Sequence, residues 1–370
     1  MTQSLVPVST DDARKWLLGD RSWRRPLHRL PLKSMMIVAA VAAYVASVVP
    51  GCLPDRVMAT TRFTAGENHA VYRVLYLDAD DVERKVVVRV SNADSEAARA
   101  RASREVAVLE RVGGHSGPRL LDFQAHGPIA GTPVMCMEHV EGAHESLDAA
   151  SAERLSDLGR VVRQTHELPV QDLADVLNGP RDLSGYVNGR LQSMLDRMSL
   201  IRDPLPLPVQ TQCADQAMWA RQTAGTLHAP EDPGALRLLH GDVSPGNVLW
   251  TPQPVLIDWE YARLGDPADE IGYLFGQNDL RPDQRQSFWR GYSQDLDAAS
   301  RSRIVERAAQ WEPLTLFGSA LYWIDLWLRR VTADAHGHAD PSAPKEPAYY
   351  LGFATRYLDR CDQIRQRPNT

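Results

Sequence analysis

Between Leu238 and Glu260 the chain carries two short apolar stretches, each running into polar residues: Leu238-Leu239 into His240-Gly241-Asp242, and Val255-Leu256-Ile257 into Asp258-Trp259-Glu260. No other feature restricts the possible folds as much. The pair brings Asp242, Asn247 and Asp258 into one short hairpin-like unit, so that two carboxylates and an amide oxygen converge. Hard oxygen donors of this kind suit a divalent cation such as magnesium and leave one carboxylate over to take a proton. The competing reading is a plain hairpin in which Asp and Asn only make turns, and it predicts none of the upstream elements described next.

Those elements begin near Arg56, where apolar and polar residues start to alternate. Met58–Phe63, Ala70–Leu77 and Val82–Val90 read as three strands, separated by the turn residues Thr64–His69 and the cluster Asp78–Asp81. Val87 and Arg89 fall on one face of the third strand, because strand side chains alternate. From Asp94 to Val112 the spacing turns helical, with Ala102, Val106, Leu109 and Val112 at steps of three and four. After the break Gly113–Pro118, two further apolar pieces follow, the second being Thr132–Met137 leading into Glu138-His139-Val140. Most of the remainder is helical. Leu155–His166 forms an amphipathic helix, His166 reads as a packed core histidine, and Asp266-Pro267 reads as a helix cap with proline in the first turn. Trp323 and Trp327 share a helix face at i, i+4. That spacing reads first as packing, with an aromatic box for a quaternary ammonium as the second reading.

In this order the motifs closely resemble those of the aminoglycoside phosphotransferase and choline kinase families, protein-kinase-like phosphotransferases of small molecules. The resemblance rests on His240-Gly241-Asp242-x4-Asn247, on Ile257-Asp258-Trp259-Glu260-Tyr261-Ala262 and on Gly265-Asp266-Pro267, and covers roughly residues 56 to 275. It implies an α+β fold of two lobes, a small antiparallel-sheet N-lobe with one helix and a larger, mainly helical C-lobe. The implied boundaries are 1–55 for an N-terminal helical extension, 56–140 for the nucleotide-binding N-lobe and 141–370 for the catalytic and substrate-binding C-lobe. The resemblance also implies transfer of the γ-phosphate of ATP, or GTP, to a hydroxyl of a small molecule with Mg2+ present. Asp242 would be the base and Asn247 and Asp258 the metal ligands. His240 would support the loop without reacting. Gly66 and Asn68 would cover the phosphates, Val87 the adenine, and Arg89 would hold phosphate braced by Glu105, Glu110 being the rival brace. Met137, the Glu138 carbonyl and the Val140 amide would border the adenine. Arg89 departs from the usual lysine, but arginine keeps the charge and can fork onto phosphate, and this chain has lysine only at 15, 33, 85 and 345.

The acceptor stays open. Glu260, Asp269 and Glu270 could meet the ammonium groups of an aminoglycoside, which makes an antibiotic-modifying enzyme one reading. A metabolic kinase of choline, ethanolamine or thiamine is the alternative, and a nucleotide-binding regulator without turnover is a third possibility that intact Asp242, Asn247 and Asp258 argue against. A net charge of −6 argues against a nucleic-acid partner. The four cysteines form no close pair, so neither a zinc site nor a disulfide framework is implied, and a cytoplasmic location fits. The basic stretch Arg21–Lys33 followed by the apolar run Met35–Val49 invites a targeting reading, but the run is shorter than the roughly 20 residues a bilayer needs. An Ala-rich helix packed on the small lobe, with no membrane partner, is the expectation. Ser9–Leu18 is expected to be a short capped helix.

Overall fold

In the computed structural model of the chain the described residues are 8–9, 32–63, 69–201, 204–224, 227, 236–335 and 346–366. They run β1 (Val8–Ser9), α1 (Leu32–Val48), β2 (Val57–Arg62), β3 (His69–Leu77), β4 (Glu83–Ser91), α2 (Glu96–Val112), β5 (Leu120–Gln124) and β6 (Val134–Glu138). There follow α3 (Ala152–His166), α4 (Leu183–Ile201), α5 (Leu207–Ala224), β7 (Arg237–Leu239), β8 (Val248–Leu249), β9 (Val255–Leu256) and β10 (Arg263–Gly265). The chain ends with α6 (Pro267–Gln277), α7 (Pro282–Tyr292), α8 (Ala298–Ala335) and α9 (Pro347–Arg365). Two units result, Met1–Gly142 with Val255–Glu260, and Ala143–Pro254 with Tyr261–Thr370.

The first unit is built on an antiparallel sheet in the order β1-β2-β3-β4-β6-β5. Alternation along β4 explains its two faces. Val86, Val88 and Val90 point into a core with Tyr72, Val74, Val134 and Cys136, and α1 covers that face through Val38, Val41, Tyr44 and Val45. Tyr44 donates from this core to Asp122 at 2.7 Å. The apolar run before Pro50 is therefore a sheet-packing helix, and among the described residues no helix is long and apolar enough to cross a membrane. Ser9 lies in β1, paired with Ala59, and the rest of the helix expected over Ser9–Leu18 lies outside the described residues, as do Gly66 and Asn68. The other face of β4 presents Val87 and Arg89, opposite Met137 and Met135 of β6 and opposite Arg73 and Val71 of β3.

Val255–Glu260 groups with this unit for a local reason. The Leu256 amide donates to the Ser116 carbonyl at 2.8 Å, and Trp259, 1% exposed, packs against Gly117 and donates from Nε1 to the Leu256 carbonyl. The glycine-rich break at 113–118 is thus the seat of the strand that carries Asp258.

The second unit is helical. Its core gathers Met194, Val209, Cys213, Leu316, Phe317, Leu321, Leu358 and Cys361 from α4, α5, α8 and α9. Strands β7 and β10 pair antiparallel, Leu239 against Arg263 and Arg237 against Gly265. This short ladder places His240 beside the entry to α6. All four cysteines are buried and free.

Candidate active site

The first unit assembles its polar groups around Arg89. Arg89 is 8% exposed and Glu105, on α2, is 4% exposed. The guanidinium Nη1 donates to Glu105 Oε1, and Nη2 lies 2.9 Å from His69 Nδ1 and 3.2 Å from Asp258 Oδ1. A buried ion pair of this kind is costly to desolvate, and here it is closed by three partners on three different elements. Burial works against the charge on Arg89, but Glu105, Asp258 and Glu260 outweigh it and hold the guanidinium protonated. Burial likewise pushes the Glu105 carboxyl up, against the pull of Arg89. Glu110 is exposed at the far side of α2, so Glu105 is the acid that reaches Arg89.

His69 was not singled out in the sequence. Burial, then Arg89 and Arg101, push its imidazole down to about 3, so it is neutral and can accept a hydrogen bond from Arg89 Nη2 at Nδ1. Glu260 stands 3.7 Å from the same nitrogen. Asp258 has φ +67, a left-handed conformation that a non-glycine residue adopts at a cost of about 1 kcal/mol, and its side chain is 44% exposed. Met137 is buried, Val87 half-buried, and they are register partners. The Glu138 carboxylate is bound by Arg119 Nε at 2.8 Å and by the Arg119 amide at 2.9 Å.

The second unit assembles its polar groups around Asp242. Gly241 has φ +87, and a Cβ there would lie 2.2 Å from the Tyr261 carbonyl oxygen, so only glycine fits the turn. His240 is completely buried, and its Nδ1 accepts the Asp242 amide at 3.2 Å. Asn247 spends its Nδ2 on the Asp242 carbonyl at 3.0 Å and on Asp242 Oδ2 at 2.8 Å. The Asn247 amide oxygen is left for another partner. Asp242 Oδ1 accepts from the Tyr273 hydroxyl at 2.6 Å. Asp242 thus sits in a loop whose backbone and carboxylate are both held.

Two acids proposed to meet an ammonium group are withdrawn by this geometry. Asp269 is fully buried and binds Tyr186, Arg190 Nε at 3.0 Å and Arg263 Nη2 at 3.2 Å. Burial alone would raise its carboxyl, but Arg190 and Arg263 outweigh it and hold it low. Glu270, 1% exposed, accepts the Gly241 amide at 2.7 Å and pairs with His166 Nε2 at 2.8 Å, while His166 Nδ1 meets Tyr292 at 2.9 Å. Both acids serve the interior, because an unpaired carboxylate there would be too costly to bury. Asp266 caps α6 through the Ala268 amide and is held by Trp311 Nε1 at 2.7 Å. Trp327 belongs to the core between α8 and α9. Trp323 is half-buried and stacks on Phe353 at 4.6 Å between ring centres. Among the described residues no group of three or more His, Cys, Asp or Glu side chains is assembled for a metal.

Sequence reasoning missed His69, Tyr273 and the Tyr292–His166–Glu270 chain. The signal for the chain was present in the buried helical phase of His166, but its partners lie more than a hundred residues away.

No curated protein matches the sequence. Among solved structures, the ethanolamine kinase of Plasmodium vivax is similar with a TM-score of 0.64 at 11% identity, over 98% of this chain and 95% of that one. A choline/ethanolamine kinase family protein from Mesorhizobium loti gives 0.58 at 17% identity, over 90% and 96%. A spectinomycin phosphotransferase in complex with ADP and spectinomycin gives 0.56 at 12% identity, over 88% and 98%. At these identities the likeness concerns the fold, which is α+β and protein-kinase-like. The model of the phosphotransferase enzyme family matches residues 59–301, well over half of the chain, and the chain belongs to that family.

Proposed function

We propose that this phosphotransferase moves the γ-phosphate of ATP to a hydroxyl of a small molecule, with Asp242 receiving the hydroxyl proton. The observation that carries this reading is the Asp242 loop. Its carboxylate accepts one hydrogen bond on each oxygen, and its backbone is fixed by His240 and Gly241. Phosphoryl transfer asks a protein for positioning and charge neutralisation more than for covalent chemistry. Arg89, braced by Glu105 and His69, is the cation for the nucleotide phosphates, and Val87 with Met137 supplies apolar surface for the base.

The residues also fit magnesium. Asn247, with both amide hydrogens committed to Asp242, offers its oxygen, and Asp258 offers an exposed carboxylate. Both are hard oxygen donors of the kind this ion takes together with phosphate oxygens and water. Magnesium bound with the nucleotide would neutralise phosphate charge. In the chemical step the acceptor oxygen bonds to the γ-phosphorus, its proton passes to Asp242, and the bond to the leaving ADP breaks.

With Asp269 and Glu270 committed to the interior, Glu260 is the remaining acid of the set for an ammonium-bearing acceptor, whether an amino sugar or an alcohol of the choline, ethanolamine or thiamine type. A panel of aminoglycosides, choline-like alcohols, thiamine and nucleosides, followed by ATP consumption, tests the acceptor directly. Asp242→Ala should lower kcat by orders of magnitude and leave nucleotide affinity nearly intact, so full turnover in that variant would refute the assignment. Asp258→Ala should abolish magnesium-dependent nucleotide binding in calorimetry, and unchanged binding would count against the metal role.

A further inference from the structure

Helix α6 touches the Asp242 loop at two residues about one turn apart. Glu270 Oε1 accepts the Gly241 amide at 2.7 Å, and Tyr273, three residues on and therefore on the same helix face, donates its hydroxyl to Asp242 Oδ1 at 2.6 Å. The helix itself is anchored. Asp266 caps its first turn and is bound by Trp311 and Arg307, and Glu270 is locked from behind by His166, which Tyr292 holds in turn. Asn247 holds Oδ2 from the other side at 2.8 Å. A carboxylate oxygen carries two acceptor sites, so each oxygen of Asp242 spends one on the protein and keeps one for a ligand.

We propose that Tyr273 is a positioning residue for Asp242, holding Oδ1 so that the carboxylate meets the acceptor hydroxyl in one orientation. This inference rests on the reading of Asp242 as the receiving base. Burial, reinforced by Asp242, raises the Tyr273 phenol well above its usual value, so Tyr273 keeps its proton and remains a donor wherever the enzyme works. This hold does not belong to the Asp-x4-Asn motif, since Tyr273 comes from a helix that begins 25 residues after Asp242.

The test uses Tyr273→Phe, which keeps the ring and removes only the hydroxyl, with MgATP and water as the acceptor, read as ADP release. Asp242→Asn is run beside it. The expected result is a kcat lower by roughly ten- to a hundred-fold, the usual penalty for a loosely held reacting group, with the KM for ATP within about two-fold of wild type. The folded fraction of each variant, read from its thermal unfolding, normalises kcat. Wild-type kcat in Tyr273→Phe, with Asp242→Asn inactive, would overturn the positioning role alone. If Asp242→Asn releases ADP at the wild-type rate, the base assignment falls and this inference falls with it.

Discussion

At the scale of single residues, the site depends on conformations and contacts that the residue types permit but do not announce. Gly241 is required because the Tyr261 carbonyl occupies the space of a side chain. Asp258 has no such excuse, since it bears a side chain in a left-handed conformation, which surrounding contacts must sustain. Arg89 replaces the usual lysine and makes use of what arginine adds, since one nitrogen serves Glu105 while another serves His69 and Asp258. His69 yields a pH prediction. Its folded value of about 3 lies below the ordinary 6.5, so the unfolded chain binds the proton more readily. The stability His69 contributes is complete above pH 6.5 and is lost as pH falls from there towards about 3, by at most about 1.4 kcal/mol per pH unit. Thermal unfolding of His69→Gln against wild type should therefore show a stability difference that changes between pH 6.5 and 5. A constant difference over that range would mean that His69 takes up its proton equally in the folded and unfolded chains.

Among the elements, local pattern and observed structure agree most closely where one face is buried. The alternation in β4 separates Val86, Val88 and Val90 from Val87 and Arg89, and this alone places Arg89 away from the core under α1. The helical spacing through Leu109 and Val112 likewise buries Glu105 and exposes Glu110. Helix α1 is apolar enough to invite a membrane reading, yet Val41 and Val45 are completely buried against the sheet. Val45→Ala should lower the stability of the protein by about 1–3 kcal/mol in urea unfolding, with α1 as a sheet cover. A neutral result would show that α1 is peripheral. Helix α6 was recognisable from Asp266-Pro267, but its acids were read as ligand-facing. A helix that carries Asp269 and Glu270 in its first turn suggests an exposed, charged end, and only the arginines and His166 brought from other elements show that both acids point inward.

For the whole molecule, a nucleotide that binds only the folded chain must stabilise it. At a free MgATP concentration one hundred times its Kd, the gain is about 2.7 kcal/mol, visible as a raised thermal midpoint. An unshifted midpoint at saturating MgATP would count against the nucleotide site around Arg89. The net charge of −6 sets no obstacle to this, because phosphates bound at Arg89 would meet a local cation and not the average field.

The sequence alone determined the reaction class and the order of the elements. Asp242 and Asn247 stand at short, fixed spacing, and backbone geometry turns such spacing into the contact between them without help from the rest of the chain. The alternation and helical periods did the same for Arg89 and Glu105, because burial leaves a periodic trace in the residues that undergo it. Only the tertiary structure decided that His69 closes on Arg89, that Tyr273 and Glu270 hold the Asp242 loop, and that Asp269 is an interior ion pair. Apart from Arg263 on Asp269, those contacts join residues from 20 to more than a hundred positions apart. No local period records a partner at such a distance, and whether a carboxylate faces a ligand or an arginine is settled by which helix packs beside it.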